Sequence, residues 1–192
     1  MSQPRSRAHK AILAVTLSIL IPIILVSIIF VAASFRGTAI DASERMLPGR
    51  GVVVDAPNAA VVLGPSSDGQ VHVWAHGSFF GQRPVVTAET AGGTTTVAVA
   101  RCANQWFNRC DLTLTVTVPE DITVTASSDN GPIVASGLTG RLTLTTTNGA
   151  IDARGTRGPV ELRTESGEVT LHDDRSTLAT GSSAGRLLVT DD

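Results

Sequence analysis

The sequence contains a single lysine, Lys10, beside fourteen arginines. From Gly51 onward it has no lysine at all, and fifteen aspartates and glutamates face nine arginines. Proteins that bind nucleic acid or anionic lipid surfaces need an excess of cations, because the ligand phosphates are negatively charged. The acidic balance therefore argues against both ligands. Together with the many alanines, glycines and valines, the preference for arginine also indicates a GC-rich bacterial genome.

The chain also lacks the residue combinations that catalysis requires. No Ser/His/Asp set, paired-carboxylate site or phosphate-binding glycine loop stands out in the sequence. A general acid or base must lie within hydrogen-bond reach of its substrate, in a site that holds both. The turns in this chain are too short to build a groove of that kind. We therefore expect a protein that is not an enzyme and that needs no cofactor.

Cysteine is scarce too: the chain has only Cys102 and Cys110, which bracket a short polar and aromatic loop. Their spacing differs from the Cys-x-x-Cys motif of redox pairs. We predict a structural disulfide that closes the tip of a hairpin between residues 97–100 and 112–116. Two free thiols or a redox pair are the less favoured alternatives.

One long segment, Ala11 to Phe35, has no charged residue. As a helix it would be about 37 Å long, enough to cross a hydrocarbon core of roughly 30 Å, and a membrane helix tolerates Pro22 as a kink. A cleavable signal peptide is the alternative, although its apolar region is usually only about 7–15 residues long. Basic residues precede the segment, which places the N-terminus in the cytoplasm. We predict a single-pass cell-membrane protein whose C-terminal domain is extracytoplasmic.

These features divide the chain into four parts. They are a cytoplasmic tail (1–10), a transmembrane anchor (11–35), a juxtamembrane spacer (36–50) and one extracytoplasmic domain (51–192). The last part alternates short strand-like runs with turns rich in Gly, Pro, Ser and Asp. A chain of that length can bury a modest core, so one domain is expected.

An 18-residue repeat fills the C-terminal third of the chain. Four blocks align without a gap: Asp121–Leu138, Thr139–Thr156, Arg157–Asp174 and Arg175–Asp192. The eleventh column is always glycine, and the residue before it is Asn130, Asn148, Ser166 or Ala184. Units this short cannot bury a core of their own, so neighbouring units must stack.

Within a block, apolar and polar residues alternate, as in Leu142-Thr143-Leu144. This is the period of a strand with one buried face. We predict two strands and two turns per block, with the Asn-Gly and Ser-Gly pairs in turns that need a positive φ. Stacking would bring Leu144 against Leu162 and leave Thr143 and Glu161 outside. The fixed period favours an all-β, short-coil β-solenoid over a meander or a sandwich.

The same residues resemble the bacterial putative-adhesin family, a β-solenoid domain of unknown function. The resemblance is carried by Val116-Thr-Val-Pro119-Glu120 and the repeated pattern N-G-x-I…G-x-L-x-L in SSDNGPIVASGLTGRLTLTTTNGAIDARG. Upstream, GVVVDAPNAAVVLGPSSDGQVHVWAHG is similar to the opening strands of that family. The resemblance covers about residues 51–192 and implies a β-solenoid domain, which the predicted anchor would make a membrane-anchored member of that family. It carries over no catalytic residue.

Two groups of residues are candidate metal ligands. His72 and His76 share a strand face with Trp74 and could hold zinc with one carboxylate, although solvent-facing strand residues are the favoured interpretation. Asp173-Asp174 and Asp191-Asp192 occupy equivalent columns, where stacked carboxylates repel one another unless a cation such as calcium lies between them. The Gly-Gly-x-Gly-x-Asp repeat of calcium-binding β-rolls is absent. A charged, solvated cap on the open end is therefore favoured over a calcium site.

A third candidate is the aromatic pair Trp106 and Phe107, with Arg109 beside it. An aromatic pair at a disulfide-closed tip resembles a contact site for protein or sugar. A structural role, in which the pair covers the open end of the fold or touches the lipid interface, is favoured because buried aromatic residues are the commoner case. We expect a non-enzymatic, membrane-anchored, adhesin-like binding or structural protein of the bacterial envelope. Its partner would be an unknown protein or an envelope polymer. The alternative is an accessory component of envelope-stress sensing that acts through a partner membrane protein.

Overall fold

The computed structural model describes Ser18 and residues 20–25, 38–100, 102, 109–172, 178–182 and 187–190. The chain divides into two units, Met1–Gly37 and Thr38–Asp192. In the first unit, Ser18 and residues 20–25 are helical. In the second unit, the described residues form fifteen strands in two sheets.

Strands that lie side by side in these sheets are mostly distant in sequence. From edge to edge, the eight-stranded sheet consists of β1 (Thr38–Met46), β4 (Val71–Phe80), β7 (Arg109–Val118), β3 (Ala60–Pro65), β9 (Ile133–Ser136), β11 (Ile151–Arg154), β13 (Val169–His172) and β15 (Leu187–Thr190). The seven-stranded sheet consists of β14 (Leu178–Ser182), β12 (Val160–Thr164), β10 (Leu142–Thr146), β8 (Thr123–Ser128), β2 (Gly51–Asp55), β6 (Thr94–Ala100) and β5 (Val85–Ala91).

Each block of the repeat contributes one strand to each sheet. The strands β8, β10, β12 and β14 are parallel neighbours, and so are β9, β11, β13 and β15. Their register shift is the length of one block, so that Leu144 pairs with Leu162 and Thr143 with Glu161. Leu144 and Leu162 are fully buried. The predicted contact between these two leucines is therefore confirmed.

One hydrophobic core lies between the two sheets. Val54 and Leu144 enter it from the seven-stranded sheet, and Leu63 and Ile133 enter it from the eight-stranded sheet. The alternation of apolar and polar residues explains this arrangement, because successive side chains of a strand point to opposite faces. The polar residues of the alternation are left on the outer face of each sheet.

The strands outside the repeat follow its parallel scheme only in part, since β2 and β3 pair parallel with β8 and β9. β4 pairs antiparallel with β1 and with β7, and β5 pairs antiparallel with β6. The predicted β-solenoid over residues 51–192 is therefore wrong. The described residues form two mixed sheets around one core and show no closed solenoid, because the repeat begins only at Asp121 and the preceding strands add antiparallel pairs. The broader prediction of an all-β fold matches the strands of the second unit.

The predicted single-pass membrane topology is also corrected. Among the residues that the structure describes, none belongs to a helix long and apolar enough to cross a membrane. Of the predicted anchor 11–35, only Ser18 and residues 20–25 are described, and the remainder lies outside the described residues.

Within the described residues, the eleventh-column glycines Gly131, Gly149 and Gly167 are needed for close packing. A Cβ on Gly131 would lie 1.8 Å from the carbonyl oxygen of Ala59, and a Cβ on Gly149 would lie 2.1 Å from that of Gly131. Positive φ occurs instead in the other turn of the block, at Gly137 (67°) and Gly155 (59°). The predicted need for positive φ at the Asn-Gly and Ser-Gly pairs is wrong: the backbone of the preceding layer leaves no room for a side chain.

A buried hydroxyl accompanies each of these glycines. The amide of Gly149 donates to Thr146 Oγ1 at 3.0 Å, and the Thr146 hydroxyl donates to the carbonyl of Gly131 in the preceding layer at 3.4 Å. Ser128 makes the equivalent bonds with Gly131 and Ala59, at 2.9 and 3.3 Å. These bonds satisfy polar groups that have lost contact with water and connect successive layers.

The predicted disulfide between Cys102 and Cys110 is confirmed, with a Cα–Cα distance of 5.2 Å. The predicted hairpin around it is wrong. Cys102 follows β6 of the seven-stranded sheet, whereas Cys110 belongs to β7 of the eight-stranded sheet. The bond therefore ties the two sheets together. Asn58 donates a side-chain hydrogen bond to the carbonyl of Cys102 at 3.0 Å, which connects Cys102 to the turn between β2 and β3.

Candidate functional site

The outer face of the eight-stranded sheet carries an array of nine side chains on β1, β4 and β7, which we call the Trp74 face. Three cross-strand rows form it: Asp41, His76 and Thr113; Ser43, Trp74 and Thr115; and Arg45, His72 and Thr117. Trp74 occupies the centre of this array. The rows follow from strand pairing, because residues opposite one another on neighbouring strands place their side chains on the same face.

The alternation within β4 creates the middle column of the Trp74 face. Val71, Val73 and Ala75 are buried in the core, so the residues between them point outward. The predicted shared face of His72, Trp74 and His76 is therefore confirmed. His76 is exposed and His72 is partly buried.

Trp74 has 53% of its surface exposed, although it lies in a strand with a neighbour on each side. Its cross-strand partners are Ser43 and Thr115, whose side chains are too small to cover an indole. A tryptophan is highly buried in most folds because its ring is large and apolar. The structure thus leaves a flat aromatic surface open in the middle of a polar face.

A groove runs along both sides of Arg45, His72 and Trp74. On one side it has a volume of about 400 Å³ and is lined further by residues 65–68 and Thr117. On the other side it has a volume of about 180 Å³ and is lined further by residues 43–44 and Val73. The larger part is within the range of small-ligand sites, which is roughly 300–1,000 Å³.

A hydrogen-bonded pair fixes one end of the groove. The Asp68 carboxylate accepts from His72 Nε2, at 2.8 Å to Oδ1 and 3.0 Å to Oδ2. Oδ1 also accepts from the backbone amide of Gln70 at 3.0 Å. The bond from His72 is the largest cause that holds the pKa of Asp68 below its usual range, and the bond from Gln70 and the charge of Arg45 act in the same direction. The pair positions the imidazole beside Trp74.

The lowered pKa of Asp68 predicts how the pair responds to pH. A depressed folded-state pKa means that the stabilising contribution is present above the unfolded-state pKa and is lost as the pH falls through the folded-state pKa. Replacing His72 with alanine removes the largest cause, so we expect the Asp68 pKa to rise toward its ordinary value in a ¹³C NMR titration. His76→Ala is the matched control and should leave the titration of Asp68 unchanged. An equal rise in both variants would contradict the assignment.

The two histidines are not placed to share a metal ion. They lie four residues apart on one strand, a separation of about 13 Å, and a zinc–nitrogen bond is only about 2 Å long. His72 is also held by Asp68. Within the described ranges, no group of three or more His, Cys, Asp or Glu side chains could hold a metal ion.

The other predicted site residues lie elsewhere. Trp106 and Phe107 lie outside the described residues, and so do the aspartates at 173–174 and 191–192. Arg109 is the exposed first residue of β7. It is six positions from Thr115 on the same strand, roughly 20 Å away, so the structure does not bring it to the Trp74 face.

Sequence reasoning missed Arg45 and Asp68. Arg45 falls in the predicted spacer, but it belongs to β1, which pairs with β4 along its full length. Asp68 lies in the turn that precedes β4, four residues before His72. That spacing could have indicated the hydrogen bond, because a carboxylate in a turn four residues before an outward-facing histidine can reach its ring. Nothing in the sequence around Arg45 indicates which strand it joins.

No family model matches the chain, and no curated protein matches it. The fold is similar to that of a solved structure, a putative cell adhesion protein from Clostridium sporogenes. The TM-score is 0.54 and the identity 10%, covering 80% of this chain and 100% of that one. A putative adhesin from Bacteroides fragilis has a TM-score of 0.30 and 8% identity, covering 81% of this chain and 97% of that one. At these identities, the first similarity concerns the fold alone and the second carries no argument.

Proposed function

We propose that this chain is a non-enzymatic, adhesin-like binding protein that holds a partner protein or an envelope polymer on the Trp74 face. The observation that carries the proposal is the exposed indole of Trp74, with a groove on both sides of it. The solved structure with a similar fold is described as a putative cell adhesion protein, which agrees with a binding role.

The exposed indole favours binding because burying its large apolar surface against a partner releases more free energy than burying a small or polar side chain. Burying apolar area is worth about 25 cal/mol per Å², and an aromatic side chain presents a large area on a rigid frame. Tryptophan is among the residues that most often dominate the energy of a contact, typically from the centre of a patch with a polar surround. Trp74 has that position in the array of nine residues.

The surroundings of Trp74 favour binding over reaction chemistry. Asp68, one of two carboxylates that line the groove, already accepts bonds from His72 and Gln70, which lower its pKa and keep it ionised. An ionised carboxylate has no proton to give, so Asp68 does not suit the role of a general acid. The outer face of a sheet is also open to water, whereas charge stabilisation in a reaction requires a site from which water is excluded. The acidic composition disfavours nucleic acid as the partner.

The proposal is tested by co-sedimentation of the full-length protein with isolated envelopes of the bacterium that encodes it. Trp74→Ala removes the indole from the centre of the face and should reduce the bound fraction about tenfold or more. Val53→Ala is the matched control, because Val53 is also an exposed apolar residue but lies on the outer face of the other sheet. It should bind as the wild type does.

Digestion of the envelopes before mixing identifies the kind of partner. Loss of binding after protease treatment would indicate a protein, and loss after glycosidase treatment would indicate a polymer. Equal binding by the wild type and by Trp74→Ala would overturn the proposal, because the Trp74 face would then contribute nothing to the contact.

A further inference from the structure

We infer that the Trp74 face binds a neutral saccharide, with one sugar ring lying against the indole of Trp74. The inference rests on the proposed function and specifies its ligand. Three properties of the face support it: its mixed charge with an excess of carboxylates, its single apolar side chain, and the hydrogen-bonding groups on all sides of that side chain.

The face carries charges of both signs, with an excess of carboxylates around it. Asp41 and Arg45 have opposite signs and lie in the first and third rows of the array. Two further carboxylates, Glu44 and Asp68, line the groove. This excess of negative charge repels an acidic ligand, while the guanidinium of Arg45 in the same groove opposes a cationic one. A ligand without charge therefore matches this face best.

Trp74 is the single apolar side chain among the nine residues of the array. The core of a protein–protein interface is usually more apolar, with several hydrophobic or aromatic side chains in contact. A saccharide needs less apolar surface on its binding site, because only one face of its ring consists of C–H groups and the remainder consists of hydroxyls. A lone flat indole with polar neighbours therefore fits a sugar ring better than it fits the apolar patch of a partner protein.

The polar residues lie where the hydroxyls of a stacked ring would be. Ser43 and Thr115 flank Trp74 across the strands, and the rows above and below it are about 6.6 Å away along the strands. Sugar hydroxyls both donate and accept hydrogen bonds. The face offers both functions: Asp41 accepts, Arg45 donates, and the hydroxyls of Thr113 and Thr117 do either. A ring seated on Trp74 can thus bond in several directions.

The chain contains two tryptophans, so a Trp106→Phe variant reports on Trp74 alone by fluorescence. We would titrate this full-length variant with chitotetraose, cellotetraose and mannotetraose as neutral probes and with tetragalacturonate as the acidic probe. At least one neutral probe should shift the emission of Trp74 in a saturable way. Raising the salt from about 50 mM to about 500 mM should leave that affinity unchanged, because no ion pair is formed.

Calorimetry then compares single-substitution variants that retain Trp106. Trp74→Ala should weaken binding of the neutral probe about tenfold or more, Trp74→Phe should retain part of it, and Val53→Ala should have no effect. The inference is overturned if no neutral probe binds, if only tetragalacturonate binds and does so in a salt-sensitive way, or if Trp74→Ala binds normally.

The experiments distinguish a failure of the saccharide inference from a failure of the proposed binding function. If envelopes bind through Trp74 but protease digestion abolishes that binding and no saccharide binds, the ligand is a protein: the saccharide inference falls and the binding function stands. If Trp74→Ala leaves envelope binding unchanged, the binding function falls as well.

Discussion

Replacing Gly149 with alanine is expected to lower the free energy of unfolding by about 3 kcal/mol or more, a large part of the stability of an ordinary domain. The new Cβ would lie 2.1 Å from the carbonyl oxygen of Gly131 and 2.7 Å from Thr146 Oγ1. Neither atom can move freely, because the two are hydrogen-bonded to each other and Thr146 also accepts from the amide of Gly149. Urea unfolding of the full-length protein measures the loss.

Gly155→Ala is the matched control for this experiment. Gly155 has a φ of 59°, and a Cβ there would meet no atom within 4 Å. The cost is then only the strain of a left-handed alanine, about 1 kcal/mol. Similar losses in the two variants would mean that turn conformation, and not the contact between layers, explains the glycine column.

Replacing Leu144 with aspartate is expected to unfold the domain or to destabilise it by about 4 kcal/mol or more, because an unpaired charge would enter the core. Leu144 is fully buried and pairs with Leu162 and Ala126 on the neighbouring strands. Leu144→Ala provides a milder variant that is expected to fold, with a loss of about 2–5 kcal/mol. Circular dichroism and thermal unfolding measure both changes.

The adjacent residue supplies the control for the aspartate substitution. Thr145 is exposed and pairs in register with Arg163, so Thr145→Asp places the same charge outside, beside a cation. Its effect should remain within about 0.5 kcal/mol, as for most surface substitutions. If Thr145→Asp were as harmful as Leu144→Asp, the inward and outward faces of β10 would be assigned incorrectly.

The register of the repeat could be predicted from the sequence because its signal is repeated. Leu142, Val160 and their equivalents recur every 18 residues. Parallel pairing with a shift of one repeat places all of them side by side in the same core. The pairing of the earlier strands could not be predicted in the same way. An apolar–polar alternation has the same period in parallel and antiparallel strands. The sequence pattern therefore does not indicate that β4 pairs antiparallel with β1 and β7.

The same distinction between local pattern and long-range pairing explains which parts of the candidate site could be predicted. The shared face of His72, Trp74 and His76 depends only on alternation within β4, so it could be predicted. The position of Arg45 beside His72 depends on a pairing between strands that are distant in sequence, and all of β1 lies in the segment predicted to be a spacer. The transmembrane prediction rests on composition over residues 11–35, and composition alone does not establish a helix of sufficient length.

Because each block of the repeat adds one strand to both sheets at the same spacing, the domain can be lengthened without changing the Trp74 face. A second copy of Thr139–Thr156 would find the same neighbours on either side that the existing block has. It would lengthen both sheets by one strand spacing, about 4.8 Å. The Trp74 face belongs to β1, β4 and β7 at the other end of its sheet and would keep every one of its nine residues in place. The width of the two sheets and the composition of the Trp74 face are thus encoded in separate stretches of this chain.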